Sequence, residues 1–164
     1  RSIEWAAQAG LHLLVDNIIS AREGTTLANG GADLKYDEVQ RDQFETYRRL
    51  LKPGFDGQIA TGRVWAPTDH ATAEQQAKFR AYIDGRTPRT LEPKEYLGKV
   101  HLFRKDTGGS LDEILADLHD DPSYELADEL AILLPFEFTY DDYRYILKET
   151  ATVIGPALGW EPKK

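Results

Sequence analysis

The chain has 164 residues, with 28 acidic against 20 basic side chains, a net charge of −8, and neither cysteine nor methionine. That length fits one domain, and 41% hydrophobic residues can build a core, so global disorder is excluded. The acidic balance argues against nucleic acid and anionic membrane partners, and the missing cysteine removes disulfides, thiolate metal sites and cysteine nucleophiles.

No apolar run approaches the ~20 residues that a membrane helix needs. No signal-peptide pattern opens the chain, so the cytoplasm is the expected location. The absent initiator methionine leads us to expect a piece of a longer product.

In chain order, Ile3, Ala6, Ala7 and Gly10 fall at helical spacing, with small residues that let a helix lie close to a sheet. Leu11–Val15 (LHLLV) reads as a short buried strand, with His12 as a satisfied core histidine. Residues 20–36, with three glycines among Thr, Asn and Asp, read as a long loop. A helix is expected over Asp37–Leu51, with Phe44, Tyr47 and Leu51 on one face and Pro53-Gly54 ending it. Gln58–Ala66 (QIATGRVWA) is the second strand, residues 70–84 a further helix, and residues 85–109 a second long loop.

Ser110 and Glu113 have capping-box spacing, and Leu111, Ile114, Leu115 and Leu118 follow on one helical face. The acidic run from Asp117 to Asp121 reads as a solvated helix end. Leu130–Leu134 (LAILL) is the third strand. Thr139 caps the last helix, and Asp141 and Asp142 favour its positive dipole end. Apolar strands alternating with helices predict an α/β fold whose parallel sheet is covered by helices. Three strands are too few to close a barrel, so the residues alone predict a fragment of a larger α/β fold.

Several segments carry a resemblance. "SIEWAAQAGLHLLVDNI", "TGRVWAPTDHAT", "GSLDEILADL" and "LLPFEFTYDDYRYILKETATVIGPAL" occur in an order that resembles the bacterial luciferase-like, flavin-dependent monooxygenase family. The resemblance implies a (β/α)8 TIM barrel of which residues 1–164 supply the C-terminal half, its parallel strands included. Such barrels need about 250 residues and carry their sites at the strand C-terminal ends. It also implies oxidation of a small organic substrate with O2 through a reduced-flavin peroxide. The cofactor is then reduced FMN, with a deazaflavin as the alternative. A homo- or heterodimer and a flavin reductase are the implied partners. The alternative reading is a barrel subunit or scaffold without activity of its own.

The candidate residues follow. Ser2 opens a helix whose free amides suit an anion, and by resemblance it meets the flavin phosphate. Asp16 and Asn17, just past the first strand, line the flavin pocket or simply cap a loop. Arg63 sits inside an apolar strand and needs a carboxylate, a phosphate or water, so it is either a flavin contact or half of an internal salt bridge. Both Arg63 and Glu137 are expected on the strand-end rim. Glu137, in the Phe136-Glu137 turn, matches an active-site carboxylate. The four histidines have no metal-ligand spacing, and no metal is expected.

Overall fold

The chain, described over residues 2–162 by a computed structural model, is organised around one strand, β3 (Ile59–Pro67). Eight of its nine residues are buried, as expected for an apolar run with partners on both edges. β1 (Leu13–Val15) pairs in parallel with its first half, from Leu13↔Ile59 to Val15↔Thr61. β7 (Glu129–Leu133) pairs in parallel from Ala60↔Glu129 to Val64↔Leu133, on the opposite edge. The three strands expected from the sequence therefore lie side by side in chain order. A further parallel strand, β6 (Thr107–Gly109), joins the end of β3 at Trp65 to Pro67. The sheet does not close: among the described residues β1 and β7 each pair with β3 alone.

Five main helices accompany the strands: α1 (Ser2–Ala9), α2 (Tyr36–Arg49), α3 (Ala73–Arg86), α4 (Leu111–His119) and α5 (Tyr140–Glu149). α5 continues through a π turn (Thr150–Ile154) into the short α6 (Gly155–Ala157). Trp65 Nε1 donates to Thr150 Oγ1 at 2.9 Å, tying this irregular turn to β3. Residues paired across parallel strands share a face. Val15 and Ile59 pack with Ala6, Ala7, Phe44 and Tyr47. Trp65 packs with Phe79, Ile114, Leu118 and Ile146. The helices therefore cover the face that carries Leu13, Val15, Ile59, Thr61, Arg63 and Trp65. On the other face Ala66 joins the second cluster, but Leu14, Ala60, Val64, Ala131 and Leu133 join neither, and Leu14 is 69% exposed. No described helix is long and apolar enough to cross a membrane.

The second region expected to be a long loop, residues 85–109, contains strands, whereas residues 21–35 carry none. β2 (Ile18–Ser20) pairs antiparallel with β5 (Lys99–Phe103), and β5 with β4 (Lys94–Tyr96), making a second sheet. β4 and β5 form a two-residue hairpin in which Leu97 and Gly98 have φ of 50° and 69°. Two positive φ values are what a type I′ turn demands, and Leu in place of Asn or Asp hides it from the sequence. Two histidine and acidic expectations are also corrected. His12 lies exposed before β1, its Nδ1 accepting from the Gln58 amide at 3.0 Å. The end of α4 is solvated only in part: Asp120 is exposed, but Asp121 is fully buried and Asp117 is half-buried.

Three helices start on full capping boxes: Thr72 with Gln75, Ser110 with Glu113, and Thr139 with Asp142. The last is joined to α3, since Lys78 Nζ lies 2.6 Å from Asp142 Oδ2. Burial opposes the Asp142 charge. Hydrogen bonds from Lys78, the Thr139 hydroxyl and amide, and Gln75 outweigh it and hold the carboxyl at about 2. A folded value below the ordinary 3.8 means stability present above that pH and lost as pH falls towards 2. Asp142→Asn should therefore lower unfolding free energy by about 2 kcal/mol at pH 7. Urea melts should show that deficit shrinking steadily between pH 4 and pH 2, at about the pH values where the carboxylate protonates.

Candidate functional site at the strand ends

Arg63 is the fifth residue of β3 and so lies at mid-strand, not on the rim where it was expected. Its side chain is 3% exposed and faces the helices. One terminal nitrogen donates to Asp121 Oδ2 at 2.5 Å, Gln40 Oε1 at 3.0 Å and Ser123 Oγ at 3.3 Å. The other donates to Thr61 Oγ1 and the Gly62 carbonyl. Of the two roles weighed for it, the internal salt bridge is the one present. A guanidinium buried this deeply needs such partners, since an unpaired charge there costs several kcal/mol.

The network extends upward to the strand ends. Gln40 donates to the Tyr36 hydroxyl at 2.7 Å, and Tyr36 donates to the Asp16 carbonyl at 2.9 Å. Burial pushes the Tyr36 phenol up, so it stays a neutral donor. Arg104, just past β5, lies 3.4 Å from Asp121, 3.0 Å from Asp117 and 3.5 Å from Asp37. Its backbone amide donates to the Asn17 carbonyl at 2.8 Å. Burial raises the Asp37 carboxyl, while Arg104 pulls it the other way. The backbone of Asp16 and Asn17 is therefore anchored at both residues. A cleft of about 310 Å³ opens here, between the start of α2 (Leu34 to Asp37), residues 90–93 and the end of β5.

Beside Asn17 lies a second ion cluster. Asp106 is 3% exposed and collects Arg86, Arg89 and Asn17. Arg86 Nε donates to Asp106 Oδ2 at 2.5 Å, Arg89 to Oδ1 at 3.0 Å, and Asn17 Nδ2 to Oδ1 at 3.4 Å. The Arg86 guanidinium lies 5.1 Å from the Tyr82 ring centre and 5.4 Å from that of Phe136, and Arg89 lies 5.3 Å from that of Phe103. The Phe136 amide donates to the Tyr82 hydroxyl at 3.4 Å. This arrangement brings together the ends of β1, α3, β5 and β7.

The expected site residues separate as follows. Asn17 is buried within this cluster, while Asp16 is exposed beside it. Glu137 is exposed, follows Phe136, and has φ of 68°. That left-handed conformation is strained for a glutamate by ~1 kcal/mol, and strain of this kind concentrates at functional turns. Ser2 is exposed at the first described residue of α1. Arg63 is joined to the rim only through Gln40, Tyr36 and Asp121. Arg86, Arg89, Asp106 and Arg104 were not singled out in the sequence. Among the described residues no group of His, Asp and Glu could hold a metal ion.

No family model and no curated protein matches the chain. Asp106→Asn should lower stability by about 2–3 kcal/mol in urea unfolding, because it leaves two partly buried guanidiniums without their shared counter-charge. Arg86→Gln, which leaves Asp106 its partner Arg89, should cost clearly less in the same melts.

Proposed function

We propose that this chain forms the C-terminal half of a (β/α)8 barrel in a luciferase-like flavin-dependent monooxygenase. The observation that carries the reading is the sheet itself. Parallel strands run in chain order, helices cover one face, apolar residues are left on the other, and among the described residues both outer strands have an unpaired edge. A barrel is the arrangement in which such a face becomes an interior and such edges find partners. The ordered segments that resemble the family supply the rest of the argument.

The rim residues fit a flavin. An aromatic ring system with a polar edge needs apolar walls and hydrogen-bonding groups. Leu14 and Ile18, 69% and 41% exposed, lie on the same short segment as Asp16 and Asn17. Asn17 Oδ1 makes no hydrogen bond among the described residues. In this reading Asp16 and Asn17 hold the polar edge of the ring, and Ser2 with the first turn of α1 takes the phosphate. Reduced FMN, when bound, supplies the activation of O2. Glu137 takes or delivers a proton at its carboxylate, close to the substrate. Phe136 and Ile18 exclude water from that place.

The test is oxygen consumption supported by reduced FMN in the protein that carries this barrel half. Glu137→Gln should lower turnover about 10²-fold, the usual effect of losing a general acid–base group. Its melting temperature should stay at the wild-type value, because the side chain is exposed. Glu137→Gly, which relieves the left-handed backbone, should melt no lower than wild type and be equally slow. Wild-type turnover in both variants would remove Glu137 from the chemistry, and absence of FMN-dependent oxygen uptake would end the flavin reading.

A further inference from the structure

The Arg86–Arg89–Asp106 cluster is unbalanced. Two guanidiniums share one carboxylate, in a chain of net charge −8. Both oxygens of Asp106 are already occupied. Arg86 spends its Nε there, and its two terminal nitrogens make no hydrogen bond among the described residues. Arg89 Nε is a buried donor without a partner. The Arg86 terminal nitrogens face solvent and are free to meet an acceptor, while the buried Arg89 Nε is costly without one.

The guanidiniums are also held in place. Each lies over an aromatic ring, Arg86 over Tyr82 and Phe136 and Arg89 over Phe103, so their planes are fixed before any ligand arrives. Both side chains remain 23% exposed, so the cluster is reachable. Apolar surface adjoins it. Phe136 is 66% exposed under Arg86, and Ile18, 41% exposed, is the strand partner of Phe103 under Arg89. A fixed guanidinium edge beside exposed apolar groups matches a molecule that is charged at one end and apolar along its body.

From this we infer that Arg86 and Arg89 form a receptor for the carboxylate head group of an apolar organic substrate. Arg86 offers its paired terminal nitrogens to the two oxygens, the fork geometry that guanidinium and carboxylate share. Arg89, bonded to Asp106 alongside, adds its positive charge. Phe136 and Ile18 take the apolar body. Asp106 is a positioning residue, since it holds both guanidiniums without touching the ligand. The inference rests on the flavin reading only in calling the ligand a substrate. The binding itself needs no flavin.

The experiment is a titration of the flavin-free chain with hexanoate, hexanol and inorganic phosphate, followed through the arginine Nε–H signals in NMR spectra. Hexanoate should shift the Arg86 and Arg89 signals, and hexanol should bind at least about tenfold more weakly, the usual effect of losing one charge-assisted contact. Arg86→Gln should weaken hexanoate by a similar factor. Arg86→Lys keeps the charge and loses the fork, so it should also weaken binding while leaving the amide spectrum native, which separates recognition from misfolding. Hexanol binding as tightly as hexanoate, phosphate matching hexanoate, or unchanged affinity in Arg86→Lys would each overturn the proposal. Hexanoate binding in a protein that shows no FMN-dependent oxygen uptake would keep this site and remove only the flavin reading.

Discussion

The ion pair between Arg63 and Asp121 is the constraint on which the remaining structure depends. Its partners come from β3 and from the turn after α4, and both side chains are almost wholly withdrawn from water. A charge in that position is tolerable only if every neighbour is committed to it. Gln40 of α2, Ser123 and Thr61 are so committed, and Gln40 and Ser123 each make a second bond within the same group. Three layers of the molecule are thereby locked to one guanidinium. Apolar side chains of similar volume would fill the space as well, but they would not specify which helix meets which turn. Hydrophobic contact is non-directional, whereas these hydrogen bonds fix which groups meet.

The consequence for the strand ends is geometric. The loop after β1 is held by Tyr36 at Asp16 and by the Arg104 amide at Asn17. Tyr36 reaches Arg63 through Gln40, and Arg104 reaches it through Asp121. Asn17 in turn touches Asp106, the anchor of the two rim arginines. A charged pair below the sheet ends thus sets the position of groups at the rim that it never touches. In the proposed enzyme this separates two tasks. Arg63 and Asp121 hold the frame, while Asn17, Arg86, Arg89 and Glu137 face the ligands.

What the sequence revealed follows from the range of the interactions involved. The caps at Ser110 and Thr139 were legible because a capping box is complete within four residues. The three parallel strands were legible because each is a short, largely unbroken apolar run, the pattern of a strand in a parallel sheet. The need of Arg63 for a partner was legible from its apolar neighbours, but the identity of that partner was not, because Asp121 lies 58 residues away. Asp121 was read as solvated because a run of acids beyond an amphipathic helix normally is. The strands β2 and β4 were missed because three-residue strands have too little pattern, and β5 because its partners Ile18 and Phe103 meet only in the folded chain. The alternation of exposed and buried residues along Lys99–Phe103 was the one local sign. The rim arginines were hidden for the same reason as Asp121: their charges converge in space and not in sequence.

The most direct measurement is a double-mutant cycle on Arg63→Met and Asp121→Leu, read by urea unfolding. Each single variant leaves one buried charge unpaired and should lose about 3–5 kcal/mol. The double variant removes both charges and should recover most of that loss, giving a coupling of several kcal/mol. Losses that simply add, with coupling below about 0.5 kcal/mol, are what independent sites give and would contradict the account.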